Sequence, residues 1–179
     1  PIREFLKSKA VWAILVAHFC NNWTLYVILS WLPKYVNEGL GVPFGDIGYI
    51  AMLPHITSFL CLNVAGNIAD RMIVSGMSVT KVRKIMQTIA VSGLAICLFL
   101  VTTVDTVWAA IGILCLGKLF GAAGIGGHSV NHMDVAPRHA GTLMGIPNTA
   151  GTIPGIVGVA VTGLILEYTG SWDLVFQVT

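Results

Sequence analysis

Five long apolar stretches divide the chain, at residues 11–32, 47–68, 82–101, 107–127 and 140–166, with short polar segments between them. Each has about 20 residues, which carries an α-helix across a hydrocarbon core at a rise of about 1.5 Å per residue. A further apolar run starts at residue 173, with Leu174, Val175, Phe176 and Val178, and has no room to cross before residue 179. The pattern predicts an all-α, multi-pass membrane protein embedded in a lipid bilayer. Residues 1–179 read as one transmembrane unit of six helices, truncated in the last. Six-helix units are the halves of a large transporter class, each built from two inverted three-helix repeats. The chain opens on Pro1 rather than methionine, which leaves no basis for judging a leader segment.

Charge orients the stretches. The gaps between them alternate between two sides, and one side holds Arg3, Lys7, Lys9, Arg71, Lys81, Arg83, Lys84 and Arg138 while the other holds Lys34 alone. The basic side therefore faces the cytoplasm or its topological equivalent. Composition agrees, with 55% hydrophobic and 10% charged residues, where soluble domains carry about 25% charged residues. A soluble fold would leave almost nothing to solvate its outside. The net charge of +2 is partitioned by topology rather than clustered, so no nucleic-acid partner is expected. Cys20, Cys61, Cys97 and Cys115 lie far apart inside apolar stretches and read as small core residues.

Polar residues inside the stretches carry the candidate chemistry. In the first stretch His18, Asn22, Tyr26 and Ser30 recur every four residues and form one slowly winding stripe, with Asn21 beside it. Lipid cannot satisfy such a stripe, so it must face water or other helices. Interhelical hydrogen bonding and a lining role along a substrate pathway both fit, and four residues in register favour the pathway. The fifth stretch holds Gly141, Gly145, Gly151, Gly155, Gly158 and Gly163, and Pro147 and Pro154 bracket Asn148, Thr149 and Thr152. Glycines four apart permit close backbone approach, and the prolines remove amide donors and bend the helix. A bent, glycine-rich helix suits a rocking motion, although tight packing alone accounts for each glycine taken singly.

Lys118 lies near the middle of the fourth stretch, about 15 Å from either end. A lysine stem reaches roughly 6 Å, too short to bring the ammonium to the interface. Burying it in lipid would cost at least about 2.5–3.5 kcal/mol. No Asp or Glu falls inside the five stretches. Its partner is therefore either an anionic substrate or a carboxylate in a part of the carrier outside this chain. His18 and His55 are candidates for proton coupling, since imidazole titrates near neutrality, with a hydrogen-bonded core histidine the commoner outcome. His128 and His132 share a helical spacing, but Ser129 stands where a zinc-protease helix needs its Glu, so no metal or other cofactor is expected.

A basic-side loop after the second stretch reads Gly66-Asn67-Ile68-Ala69-Asp70-Arg71, followed by Arg83-Lys84. It resembles the second-half copy of the loop signature of the major facilitator superfamily, where a glycine, an Asp-Arg pair and a basic pair form a charge network that latches the cytoplasmic side. Positive-inside topology alone would explain Arg71, Arg83 and Lys84 but not Asp70. A narrower resemblance runs through nearly the whole chain. Phe19-Cys20-Asn21-Asn22-Trp23-Thr24-Leu25-Tyr26, Leu53-Pro54-His55, Asn131-His132-Met133-Asp134-Val135-Ala136-Pro137-Arg138 and Met144-Gly145-Ile146-Pro147-Asn148-Thr149 resemble the anion–cation symporter family within that superfamily. This is the group of sialin, the vesicular glutamate transporters and the plastid-type phosphate transporters. The run from Gly151 to Val159 and the run from Arg83 to Ile89 look most like the phosphate branch.

The resemblance implies a twelve-helix carrier of which this is the C-terminal half, with a central anion site and a sodium or proton gradient or the membrane potential as driving force. It puts His132 and Asp134 in a helix-end loop and offers Asp134 and Arg138 to the charge network. The glutamate branch has an arginine at the position aligned with Asn21, and the uncharged Asn21 suits a smaller anion such as inorganic phosphate. The expected function is phosphate co-transport, with organic-anion transport as the alternative and a non-transporting scaffold or receptor as the rival of another class. An enzyme would need a nucleophile–base pair or a filled metal shell, and neither is found. A plastid or other organellar membrane follows from the branch resemblance alone.

Overall fold

In the computed structural model, residues 5–179 are described, and Arg3, counted above on the basic side, lies outside them. The described residues form seven α-helices and no strand. Helix α1 spans Lys9–Lys34 and runs into a π-helical turn, Tyr35–Gly39. Then come α2 (Ile47–Val74), α3 (Val79–Val101), α4 (Val107–Ala122), α5 (His128–Val135), α6 (Ala140–Thr169) and α7 (Trp172–Val178). Counting the short helical turns that extend them, five segments are long and apolar enough to cross a membrane: Lys9–Gly39, Phe44–Val74, Val79–Val101, Val107–Val135 and Pro137–Thr169.

Two expectations need correction. The Gly66–Arg71 signature is not in a loop, because α2 continues through Val74. Met72, Ile73 and Val74 extend its apolar run, and the break comes only at Gly76, whose φ of 96° a side chain resists. His132 and Asp134 are helical as well. The fourth stretch passes through a 3-10 turn at Ala123–Gly126 and continues as α5. Glycines at 121, 124, 126 and 127 allow this change of winding without ending the segment.

Helix α6 stays unbroken through Pro147 and Pro154. It packs against α1 along its small residues, while α4 packs against both α2 and α3. It ends at Gly170, which adopts the left-handed conformation (φ 62°) that closes many helices. Ser171 then caps α7 by accepting the Leu174 amide.

The apolar core is split in two. One cluster, around Ile28, Leu32, Tyr35, Ala51, Leu98, Leu114 and Phe176, fills the end with few basic residues. The other, around Ala65, Ala69, Val82, Met86, Ala90, Ala122 and Ala123, fills the basic end with small side chains that let the helices approach closely. Gly126 belongs to that close approach. A Cβ there would stand 2.6 Å from the Cβ of Ala69, a buried methyl with no rotamer to escape into. Gly126→Ala is expected to destabilise by about 1–3 kcal/mol, read as a lower melting temperature of the full-length protein in detergent.

Candidate functional site

Between the two apolar clusters lies a mixed layer, in which a few polar side chains sit among apolar ones. On α2 it falls between Ala51 and Ala65, on α3 between Leu98 and Ala90, and on α4 between Leu114 and Ala122. Lys118 is the cation of this layer. It lines a cavity of ≈ 250 Å³ with Asn21, Thr24, Ser58, His128 and Ser129. It also interacts electrostatically with His55. Among the described residues the ion pairs are Lys34 with Glu38 and Arg83 with Asp134, so Lys118 has no carboxylate partner there. The site can thus offer an anion one ammonium, the hydroxyls of Ser58 and Ser129 and an amide, the Thr24 hydroxyl being donated to the Thr179 carbonyl.

The stripe on α1 divides. Asn22 is buried and turns its amide back to the His18 carbonyl at 2.8 Å. A Cβ at Gly151 would meet Asn22 and His18 at 2.8–2.9 Å, and one at Gly155 would meet the Tyr26 ring at 2.9 Å. His18, Asn22 and Tyr26 are thus the edge on which α6 packs, with the Asn22 hydrogen bond closing within α1 rather than across to α6. Ser30 is exposed and stands apart from that edge, as does Asn21, which turns to the cavity. Four-residue spacing drifts around the helix, so the Ser30 end of the stripe leaves the face on which it starts.

On α6, Asn148, Thr149 and Thr152 are exposed on an otherwise apolar segment. Asn148 lies near the His18 ring. The threonine hydroxyls donate to backbone carbonyls of their own helix, Thr149 to Gly145 and Thr152 to Thr149. Such back-bonding satisfies the hydroxyls in an apolar setting and softens a helix already short of two amide donors.

At the basic end Arg83 of α3 reaches Asp134 of α5, with Nε 2.7 Å from Oδ2, and its Nη1 donates to the Gly126 carbonyl at 3.0 Å. One guanidinium therefore ties α3 both to the 3-10 turn and to α5. Gly66, Asp70, Arg71, Lys84 and Arg138 surround this end without joining the contact; among the described residues Asp70, Arg71, Lys84 and Arg138 have no ion pair. Asp70 sits near the C-terminus of α2, where the helix dipole disfavours a carboxylate.

Sequence reasoning missed Gln87. Its Oε1 accepts the His128 amide at 3.1 Å and lies 2.9 Å from His128 Nδ1. The His128 ring is in turn edge-on to His18, with centroids 5.7 Å apart. Nothing in the spacing pairs residues 41 apart in sequence. His128 and His132 do not converge, since His128 faces Gln87, and among the described residues no three His, Cys, Asp or Glu side chains gather as a metal shell would need.

Comparison with known proteins agrees with this architecture. The chain is 41% identical over 97% of its length to "Probable anion transporter 6, chloroplastic" of Arabidopsis thaliana, covering 34% of that protein. It is 40% identical over 99% of its length to "Ascorbate transporter, chloroplastic" of the same plant, covering 33% of it. It is 38% identical over its full length to "Sodium-dependent phosphate transport protein 1, chloroplastic", again of Arabidopsis thaliana, covering 35% of it. The chain spans about a third of the length of these curated relatives. The Major Facilitator Superfamily pattern matches residues 1–178. With its bundle of apolar helices, its glycine-lined contact between α1 and α6 and these relatives named as transporters, the chain belongs to the major facilitator superfamily.

Proposed function

We propose that the chain is the C-terminal six-helix half of a secondary anion carrier that works by alternating access against an N-terminal half. Lys118 carries this reading. An ammonium at mid-depth, beside a largely apolar cavity and without a carboxylate partner among the described residues, is costly unless something anionic visits it. Asn21 lies on the cavity wall, and the exposed Asn148, Thr149 and Thr152 would face the other half across the pathway. His18 and Asn22 support that wall from behind. Arg83 and Asp134, with Gly66, Asp70, Arg71, Lys84 and Arg138 around them, would form the cytoplasmic gate, Asp70 finding its cation in the other half.

Inorganic phosphate, co-transported with sodium or protons, is the first reading of the substrate. One cation and an uncharged Asn21 fit one small anion, and a relative is named for sodium-dependent phosphate transport. The relative named for ascorbate favours a small organic anion as the second reading. A plastid membrane is the proposed location, since those relatives are named chloroplastic.

The test uses the full-length parent protein in liposomes, comparing uptake of labelled phosphate, ascorbate and glutamate with and without inward sodium and proton gradients. Phosphate uptake raised by either gradient is expected. Ascorbate or glutamate uptake with phosphate ignored would replace the first reading by the second. No uptake of any of the three would sink the carrier reading and leave a scaffold or receptor.

A further inference from the structure

Three cavities meet at His128. One, of ≈ 580 Å³, opens at the basic end beside Arg83, Asn131 and Asp134. A second, of ≈ 270 Å³, lies between α1 and α3. The third is the cavity of Lys118. His128 lines all three, although only 7% of its surface is exposed.

Its contacts fix its tautomer. A backbone N–H can only donate, so the Gln87 atom facing the His128 amide at 3.1 Å is the amide oxygen. That oxygen has only lone pairs, so Nδ1, 2.9 Å away, must carry its proton and donate to it. In the neutral ring Nε2 is then the bare acceptor, with the Ser129 hydroxyl 3.5 Å away as its polar neighbour.

The charged and titratable groups around it are few. From α1 come His18, with Asn148 of α6 near its ring, and Cys20 on the wall of the second cavity. From α3 come Gln87, Arg83, which holds Asp134 of α5, and Lys84 on the wall of the basic-end cavity. From α4, across the cavity, comes Lys118, which also acts on His55 of α2. Among the described residues Asp134 is the only carboxylate side chain on the walls of these three cavities, and Arg83 already holds it.

We infer that His128 Nε2 is the proton-binding site of this half, and that it and Lys118 share one anion. A proton arriving from cavity water adds to Nε2 and makes an imidazolium, and no other bond changes. Two cations then border one cavity without a carboxylate of their own. They repel each other when it is empty and attract a single anion when it is filled, so proton and anion each favour the other's binding. Loss of the proton to water on the other side releases the anion. This inference rests on the anion-carrier reading and selects the proton as the coupling ion.

The test measures uptake by the full-length protein in liposomes across about pH 5 to 8, the window in which histidine changes charge. Labelled ascorbate and phosphate are the probes. Ascorbate keeps one charge throughout; for phosphate, whose own charge changes, the readout is the ratio of wild-type to variant KM. Wild-type KM is expected to rise about tenfold per pH unit on the alkaline side of its midpoint, as a single required proton dictates. H128N places an amide nitrogen where Nδ1 stood, keeps the bond to Gln87 and has nothing to protonate; its KM should stay high and flat. Q87E sets a carboxylate against the ring and should move the wild-type midpoint alkaline by about one unit or more. H128N following the wild-type profile, or Q87E leaving the midpoint in place, overturns the proposal. So does a wild-type carrier with pH-independent KM, which leaves the carrier reading intact. A wild type that moves neither probe sinks the carrier reading and this proposal with it.

Discussion

Lys118→Ala is expected to lower anion uptake by about tenfold to a hundredfold in kcat/KM, the equivalent of losing one hydrogen bond to a charged partner worth roughly 1.5–3 kcal/mol. The ammonium borders a cavity whose other polar groups are hydroxyls, an amide and imidazole, none of which carries a fixed positive charge. Without it the anion would give up its hydration for neutral donors alone. Lys118→Arg keeps the charge on a wider, planar head and should restore part of the activity, with KM recovering more than kcat. The same substitution tells a functional lysine from a structural one. Removing one member of a buried ion pair strands the other, at a cost of about 3–5 kcal/mol. Lys118 has no such partner among the described residues, so the melting temperature of Lys118→Ala in detergent should hold or rise. A marked fall in stability with uptake intact would mean that the lysine pairs with a carboxylate elsewhere in the carrier and does not serve the anion.

Breaking the contact between Arg83 and Asp134 should be the next largest effect. The Arg83 side chain keeps 14% of its surface exposed and that of Asp134 keeps 32%, so water screens this pair less than a surface bridge. Arg83 also holds the Gly126 carbonyl, which Asp134 does not touch. Arg83→Ala therefore removes two attachments between α3 and the segment running from the 3-10 turn into α5, and Asp134→Ala removes one. With a charge-assisted bond worth roughly 1.5–3 kcal/mol, either change should shift the balance between closed and open cytoplasmic ends by about tenfold or more, Arg83→Ala further. The readout is the alkylation rate of a cysteine at Asn131, on the wall of the cavity beside the pair. The double exchange R83D/D134R should recover part of the closed state. Equal effects of the two single variants, with no recovery in the exchange, would reduce the contact to a surface ion pair.

How much of this was legible in the sequence depends on the range of the forces involved. Span length, span number and orientation follow from hydropathy and from the partition of Lys and Arg, because each helix meets the bilayer on its own terms. The helix ends were read less well. Gly66 lies inside α2 and Asp134 inside α5, because a helix projecting past the hydrocarbon stays helical until a residue such as Gly76 interrupts it. The polar stripe on α1 was visible as a stripe. Whether it faced water or α6 was not, since glycines at 151 and 155 had to be brought opposite it first.

The amino-acid sequence by itself determined that this is a bundle of membrane-spanning helices with a basic end, that Lys118 is a cation in apolar surroundings, and that its motifs are those of the major facilitator superfamily. These are properties of single segments and of their order. Only the tertiary structure decided that Lys118 lies beside a cavity between two apolar clusters, that Arg83 and not Asp70 makes the ion pair at the basic end, and that Gln87 fixes the tautomer of His128. Each of these joins residues on different helices. Contacts across helices depend on how the helices rotate and settle against one another, which small residues permit and no local pattern encodes.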